Sequence, residues 1–470
     1  MSVLSYSRRE FIAKNALNCA GMVIGAALPV TVSAEPVFSL EEEKVDETLK
    51  ISVFDIDATP PIGSYLAYDQ MKSSWDLGLR AKGIVLTGTG APIVLCAIDW
   101  IGIANASQDV FKQTLADAVH TVPERVAVHT LHQHDAPVCD FSTEKMLKEM
   151  GIESRAYDGS FAREFLSRLG KAVKDSLNKP RTITDMSIGK APVNEVASNR
   201  MIFKDGKVVA TRYTACPDAA LRSEPEGLID PDVTLVGFWE GEKPVAVMTF
   251  YATHPQSYYR TGIPNPDFPG LARFFRQLTV PEALHIHFTG AGGNIGAGKY
   301  NDGSHKNRMI LAGRLADGME RAWKNSTKIP LSAGAVSWKT ESVALPVSDE
   351  MIRLTESQIQ TTDMQSITNI ASRMSWAKRA QAGNTIDIAC LSVGKARVLF
   401  MPGELSVEYQ LAAKAYRPDL AVSMAAYGEY GPSYICTKEA YSRGGYEVNS
   451  SPVTAESEEI LMNVCRKLLS

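Results

Sequence analysis

The feature that most constrains this chain is a series of short, almost wholly apolar segments, each running directly into a polar residue able to do chemistry. Ile93–Ile98 ends at Asp99, and 125–130 leads to His132 and His134. Segment 245–251 leads to His254, and 285–289 runs into Gly290-Ala291-Gly292-Gly293-Asn294. Segment 397–401 leads to Glu404, and 422–426 to a tyrosine-rich loop. Apolar runs of this length, bounded by turn residues, read as strands covered on both faces, and 83–86 and 234–239 belong with them.

Helical patterns lie between the runs. Val110, Phe111, Leu115 and Ala118 share a face, with Asn105 or Ser107 as cap. Phe161, Phe165, Leu169 and Val173 form a second stripe, and Met309, Ala312, Leu315, Met319 and Trp323 a third. The more polar segment 349–382 also reads as helical. Strands interleaved with helices predict an α/β fold of two stacked mixed β-sheets flanked by helices. No repeat, low-complexity tract or Pro/Gly/Ser-rich linker divides the chain, which predicts a single large domain. Ligands in such folds collect where strand C-termini meet loops, so polar groups far apart in sequence can converge there.

The N-terminus reads differently. Ser7-Arg8-Arg9-Glu10-Phe11-Ile12, an uncharged stretch over 15–32 and the small residues Val32-Ser33-Ala34 have the form of a twin-arginine export signal over 1–34, leaving 35–470 as the folded domain. A periplasmic or secreted protein is expected, with the twin-arginine translocase as its partner during export. No later segment is apolar and long enough to span a bilayer. With 53 acidic against 49 basic residues, nucleic acid is not an expected partner. Of seven cysteines, one falls in the signal and none forms a Cys-x-x-Cys pair. Cys96 lies within an apolar run as a buried thiol, and few or no disulfides are expected.

Several polar residues at the strand ends are candidate ligands. On an extended backbone, His132 and His134 point the same way. Both can face one metal, one can bind metal while the other handles a proton, or the pair can simply pack. Pro255 holds His254 to extended or turn geometry. Glu404, in Met401-Pro402-Gly403-Glu404, reads either as a ligand or as a helix N-terminal residue. Two histidines and a carboxylate suit zinc with one position open. In the loop 431–447, tyrosines at 434, 441 and 446 fit no regular stripe. A phenol there can donate to a developing oxyanion, ligate a metal, or only pack.

These tracts together resemble the N-terminal catalytic domain of the neutral/alkaline non-lysosomal ceramidase family. The resemblance spans roughly 51 to 448. It rests on Asp55-Ile56-Asp57-Ala58-Thr59-Pro60-Pro61, on 95–101 with Asp99, and on Thr130-Leu131-His132-Gln133-His134-Asp135-Ala136-Pro137. It continues in Ala197-Ser198-Asn199-Arg200, Thr253-His254, Pro402-Gly403-Glu404 and the tyrosines Tyr434 and Tyr446. The resemblance implies one zinc per chain on His132, His254, Glu404 and Tyr434. It implies His134 beside the reacting centre, Arg200 on the substrate carbonyl and Tyr446 on the oxyanion.

Two departures accompany it. Gly293-Asn294-Ile295-Gly296-Ala297-Gly298 stands where the family has Gly-Asp-x-Ser-Pro-Asn, so Gly296 replaces a serine. No immunoglobulin-like domain is expected after Tyr446. Ceramide itself is therefore not the expected substrate. The expectation is an exported zinc-dependent hydrolase of an amide (N-acyl) or ester bond, acting through metal-bound water on a small or lipid-like N-acyl compound. The alternative is a metal-stabilised binding protein without turnover. Asp57 and Asp99 are expected either to orient metal ligands or to cap turns. Asn294 and its glycine neighbours are expected either to bring backbone N–H groups to the substrate or to form a tight turn.

Overall fold

The apolar runs become strands because both of their faces are covered. Ile93–Ile98 and Val126–Thr130 are buried at every residue, and Arg80–Thr87 at all but its two ends. The computed structural model describes residues 48–153, 155–359 and 364–470, with backbone alone at 364–369. The expected export signal over 1–34 lies outside the described residues. Those described fall in one compact unit, Asp46–Ser470.

Three larger sheets form, and each repeats one topology. In the first, Lys50–Asp57, Arg80–Thr87 and Ile93–Ile98 run antiparallel in sequence order. Helix Ala106–Val119 then carries the chain over to Val126–Thr130, which lies parallel to Ile93–Ile98. The second sheet does the same with Asp185–Pro192, Asp232–Glu240, Lys243–Tyr251, helix Asp267–Thr279 and Leu284–Thr289. The third uses Val336–Val343, Ile386–Val393, Ala396–Phe400, helix Val407–Tyr416 and Ala421–Ala425. The expected α/β class, with mixed sheets flanked by helices, is present. Its layers come from three sheets, where the sequence suggested two. The repeat is one of topology, and the sequence shows no counterpart to it.

The inner faces share one core. Ile84 and Leu95 of the first sheet, Phe238 and Met248 of the second, and Leu391 and Val398 of the third belong to the same buried cluster. Phe250 and Phe288, paired across the parallel strands, stack there at 5.4 Å. Each outer face is covered by helices: Ala106–Val119 and Ser160–Ser176 on the first sheet, Asp267–Thr279 and Lys306–Lys324 on the second, Val407–Tyr416 and Ser457–Leu469 on the third. Burying each large aliphatic side chain in these layers contributes about 1.5–3 kcal/mol.

Hydrogen bonds knit the C-terminal ends of the three parallel strands together. Thr130 N donates to Tyr427 O, Ala426 N to Thr289 O, and Thr289 Oγ1 to Leu131 O. The loops that follow these strands therefore start from one place.

Several local expectations change. Asn105 stands before helix Ala106–Val119 without capping it; its Nδ2 donates to Asp140 instead. Val110 and Met309, assigned to buried stripes, are exposed, and the inward faces of their helices turn on Phe111 and Leu311. Segment 349–382 forms two helices, Asp349–Ile359 and Met364–Gln381. The six cysteines among the described residues are buried free thiols. Among those residues no helix is long and apolar enough to cross a membrane.

Candidate metal centre

Three histidines meet where the first two sheets' loops converge. Their ligand-capable nitrogens on His132, His134 and His254 all lie within 4.8 Å of one another, and all three residues are buried. The backbone that brings the first two together is not the extended one expected from alternation. The strand stops at Thr130, and His132 adopts φ 66, a conformation uncommon for a residue with a Cβ. Two contacts hold that kink: His132 N donates to Trp100 O, and His132 Nδ1 lies 2.7 Å from Ile101 O. His134 Nδ1 lies 3.1 Å from the carbonyl of His132 itself.

These contacts fix the chemistry of the free ring nitrogens. A carbonyl oxygen only accepts, so Nδ1 of both rings carries the proton. In the neutral imidazoles Nε2 then presents a lone pair. His132 Nε2 faces Glu404 Oε2 at 3.3 Å, and His134 Nε2 faces His254 Nε2 at 3.3 Å. Glu404 Oε2 is buried without a hydrogen-bond partner and also lies 3.8 Å from His254 Nδ1. Burial also pushes the imidazolium forms of His134 and His254 far out of reach, aided by neighbouring His132 and Arg200. A proton on His254 Nε2 satisfies His134 Nε2, but it leaves His254 Nδ1 and His132 Nε2 as lone pairs beside the bare Glu404 Oε2, an arrangement that a cation would relieve. The donor set thus fits a divalent metal with nitrogen and oxygen preference.

The third sheet delivers Glu404 and Tyr434 side by side. Glu404-Leu405 pairs in parallel with Tyr434-Ile435, with Glu404 opposite Tyr434. Glu404 is thus a strand residue, and the following helix begins only at Val407. Burial alone would raise the Glu404 carboxyl, but positive charge nearby, on His132 when that ring is protonated and on Arg200, and a hydrogen bond from Tyr430 bring it below the usual range. Tyr430 donates to Glu404 Oε1 at 3.1 Å. The Tyr434 phenol is pushed up by burial and by the Glu404 charge, and it accepts from Arg200 Nη1 at 3.3 Å.

Arg200 reaches the site through a second small pairing, Ser198-Asn199 against Ile295-Gly296. Its backbone N donates to Asn294 O and its Nη1 to Gly293 O. Its Nε lies 3.4 Å from Glu447, and its guanidinium sits over the ring of Tyr446 at 5.2 Å. Tyr446, part-exposed, meets Tyr434 edge-on at 5.6 Å.

The remaining sequence candidates lie behind the site or away from it. Asn294 is fully buried and spans two segments: Oδ1 accepts from Val407 N and Nδ2 donates to Glu408. It positions the Glu404 segment. Gly293 allows this approach, since a Cβ there would stand 2.4 Å from Glu404 O. Asp99 is spent on a buried bidentate pair with Arg273 at 2.7 and 2.6 Å and on Arg80 N. It touches no histidine; the carbonyls of the next two residues do that work. Asp57 is exposed and accepts from Thr59 N, so it caps a turn outside the site. Gly296 packs against Thr214, whose methyl would lie 2.5 Å from an added Cβ, and it is Thr214 that lines the cleft.

The cleft has a volume of about 410 Å³ and is lined by His132, His134, Arg200, His254, Glu404 and Tyr434, among others. Sequence reasoning missed Tyr430, Tyr68, Tyr259 and Arg373, which also line it. Tyr430 alone carried a signal, four residues from Tyr434 in the same loop. Tyr68, stacked on His134 at 5.7 Å, comes from a loop with no motif.

No protein-family model and no curated protein sequence matches the chain. Solved structures do. Neutral ceramidase from Pseudomonas aeruginosa aligns with a TM-score of 0.64 at 14% identity, over 90% of this chain and 74% of that one. A ceramidase complexed with C2 aligns with a TM-score of 0.63 at 14% identity, over 90% of this chain and 75% of that one. The chain has a neutral ceramidase-like fold.

Proposed function

We propose that the chain is an exported zinc-dependent hydrolase of an amide (N-acyl) bond. The observation that carries this reading is the meeting of His132, His134 and His254 at the wall of an open cleft, with the unpartnered Oε2 of Glu404 3.3 Å from His132 Nε2 and 3.8 Å from His254 Nδ1. His132, His254, Glu404 and Tyr434 would hold the metal, one per chain. A zinc ion held there supplies Lewis acidity, polarising a scissile carbonyl and acidifying water.

The chain's own groups do the rest. His134, neutral and stacked on Tyr68, presents its Nε2 beside His254 Nε2 in the cleft, where it would take a proton and return it to the departing amine. Arg200, fixed by Gly293, Tyr434 and Glu447, and the phenol of Tyr446 supply positive potential and a donor for a developing oxyanion. Ile101 O and Tyr430 keep His132 and Glu404 in place. The Arg8-Arg9 signal supports export to the periplasm or beyond through the twin-arginine translocase.

The experiment is metal analysis of the purified protein and of His132→Ala and His254→Ala, alongside amine release from a panel of N-acyl compounds. About one zinc per chain, lost in both folded variants together with turnover, is expected. Absence of stoichiometric metal, or metal indifferent to both changes, removes the proposal.

A further inference from the structure

The walls of the cleft carry more information than the metal centre alone. Seven tyrosines line it, with Gln256, Thr214 and Ser372. Beyond two alanines, its aliphatic lining among the described residues is Ile101 and Val138. A volume of about 410 Å³ lies at the lower end of the range for small-molecule sites, roughly 300–1,000 Å³. The apolar surface of the cleft is therefore mostly tyrosine ring, edged with hydroxyls, rather than aliphatic wall.

The charges are also unequal. Arg200, Arg373 and Glu404 are the charged lining groups among the described residues besides the histidines. Arg200 is engaged by Tyr434, Gly293 and Glu447, and Glu404 faces His132. Arg373 is different. It is half-buried on helix Met364–Gln381, its charge acts on the phenols of Tyr157 and Tyr446, and no described carboxylate pairs with it. Its turn of helix is pinned on both sides: Ser372 Oγ donates to the buried Asp140, and Ser375 Oγ accepts from Thr143. The described residues therefore fix the helical turn that carries Arg373 to the cleft and give its guanidinium no counter-ion. Such a group recognises a planar carboxylate through parallel N–H donors.

We infer that the substrate is a small, polar N-acyl compound bearing a carboxylate, and that Arg373 pairs with that carboxylate. This rests on the hydrolase reading for the bond cleaved, but the anion subsite does not. The carboxylate can belong to the amine half, as in an N-acyl amino acid, or to the acyl half, as in a dicarboxylic half-amide.

Three probes separate these cases: N-acetyl-phenylalanine, N-succinyl-phenethylamine and the uncharged N-acetylphenethylamine. Their dissociation constants are measured by calorimetry on the wild-type protein, Arg373→Gln and Arg373→Lys. One carboxylate probe is expected to bind about 10- to 100-fold more tightly than the uncharged one, the scale of a charge-assisted hydrogen bond. Arg373→Gln erases the preference and Arg373→Lys retains part of it. Equal binding of all three probes by wild type overturns the inference, whether or not the variants fold. So does a preference that survives Arg373→Gln, which would put the anion on the metal. Turnover of the same probes is then followed. Arg373-dependent binding without cleavage of any probe removes the hydrolase reading and leaves the subsite. Cleavage of all three with equal binding does the reverse.

Discussion

His132 Nε2 and Glu404 Oε2 face each other at 3.3 Å across the site, from residues 272 positions apart in the chain. The far side of each group is already tied, His132 Nδ1 to Ile101 O and Glu404 Oε1 to Tyr430. Neither can turn away, so the space between the facing atoms is electron-rich and fixed.

That arrangement predicts the behaviour of Glu404→Gln. The substitution keeps size and removes the charge that balances a cation. Zinc bound to purified protein, measured by mass spectrometry, should fall from about one per chain to a small fraction of that, with the circular dichroism spectrum retained. Full zinc occupancy in the folded variant would exclude Glu404 as a ligand.

Tyr430→Phe tests the support rather than the ligand. It removes only the hydroxyl that donates to Glu404 Oε1. Losing such an outer partner typically weakens metal affinity about 10- to 100-fold. A competition titration with a zinc chelator should find that loss with little change in thermal midpoint, and unaltered affinity would mean that Tyr430 merely packs.

Asp99→Asn should separate stability from metal binding. Asp99 pairs with Arg273 in full burial, and removing one member leaves a buried guanidinium uncompensated. A loss of about 3–5 kcal/mol is expected from denaturant unfolding. Because Asp99 bonds no histidine, zinc stoichiometry at saturation should stay at one. Stoichiometric zinc loss in the folded variant would assign Asp99 a part in orienting the ligands after all.

Glu429 gives a pH signature. Burial lifts its carboxyl to about 8, even though the N–H groups of Asn105 and Gly431 donate to it and pull the other way. The ordinary value is 4.5, so the folded chain keeps a proton there that the unfolded chain has lost. The stability this group contributes is fully present below pH 4.5 and is lost as pH rises through about 8. Gln at 429 offers the same acceptor oxygen without titrating. Between pH 5 and pH 8.5, Glu429→Gln should gain in unfolding free energy relative to wild type. A constant difference across that range would show that Glu429 is ionised in the fold.

Much of the layering was legible because burial on both faces leaves an unmistakable trace. The run at 93–98 is apolar throughout and 245–251 nearly so, while 285–289 is buried despite His285, His287 and Thr289; all three form strands close to where the sequence puts them. Asp185–Pro192 and Val336–Val343 escaped notice because they mix buried and exposed positions irregularly, so neither a continuous nor an alternating pattern shows. Missing them hid both the third sheet and the threefold repeat of topology. The strand-end histidines and Glu404 were visible for a related reason: a polar residue directly after a doubly covered strand stands out from its surroundings.

By itself, then, the sequence determined where several of the buried strands lie, that polar chemistry gathers at their ends, and, through the family resemblance, that His132, His254, Glu404 and Tyr434 are the donors to examine. Only the tertiary structure decided which of these ends meet. The positive-φ turn at His132 is set by Trp100 and Ile101 on another strand's loop, and the Glu404–Tyr434 register is set by pairing across 30 residues. The same holds for the residues that fell away. An aspartate after a strand looks alike in sequence whether it caps a turn, as Asp57 does, or is consumed by an arginine 174 residues distant, as Asp99 is. Side-chain partners separated this far are chosen by packing of whole layers, and local sequence carries no record of that choice.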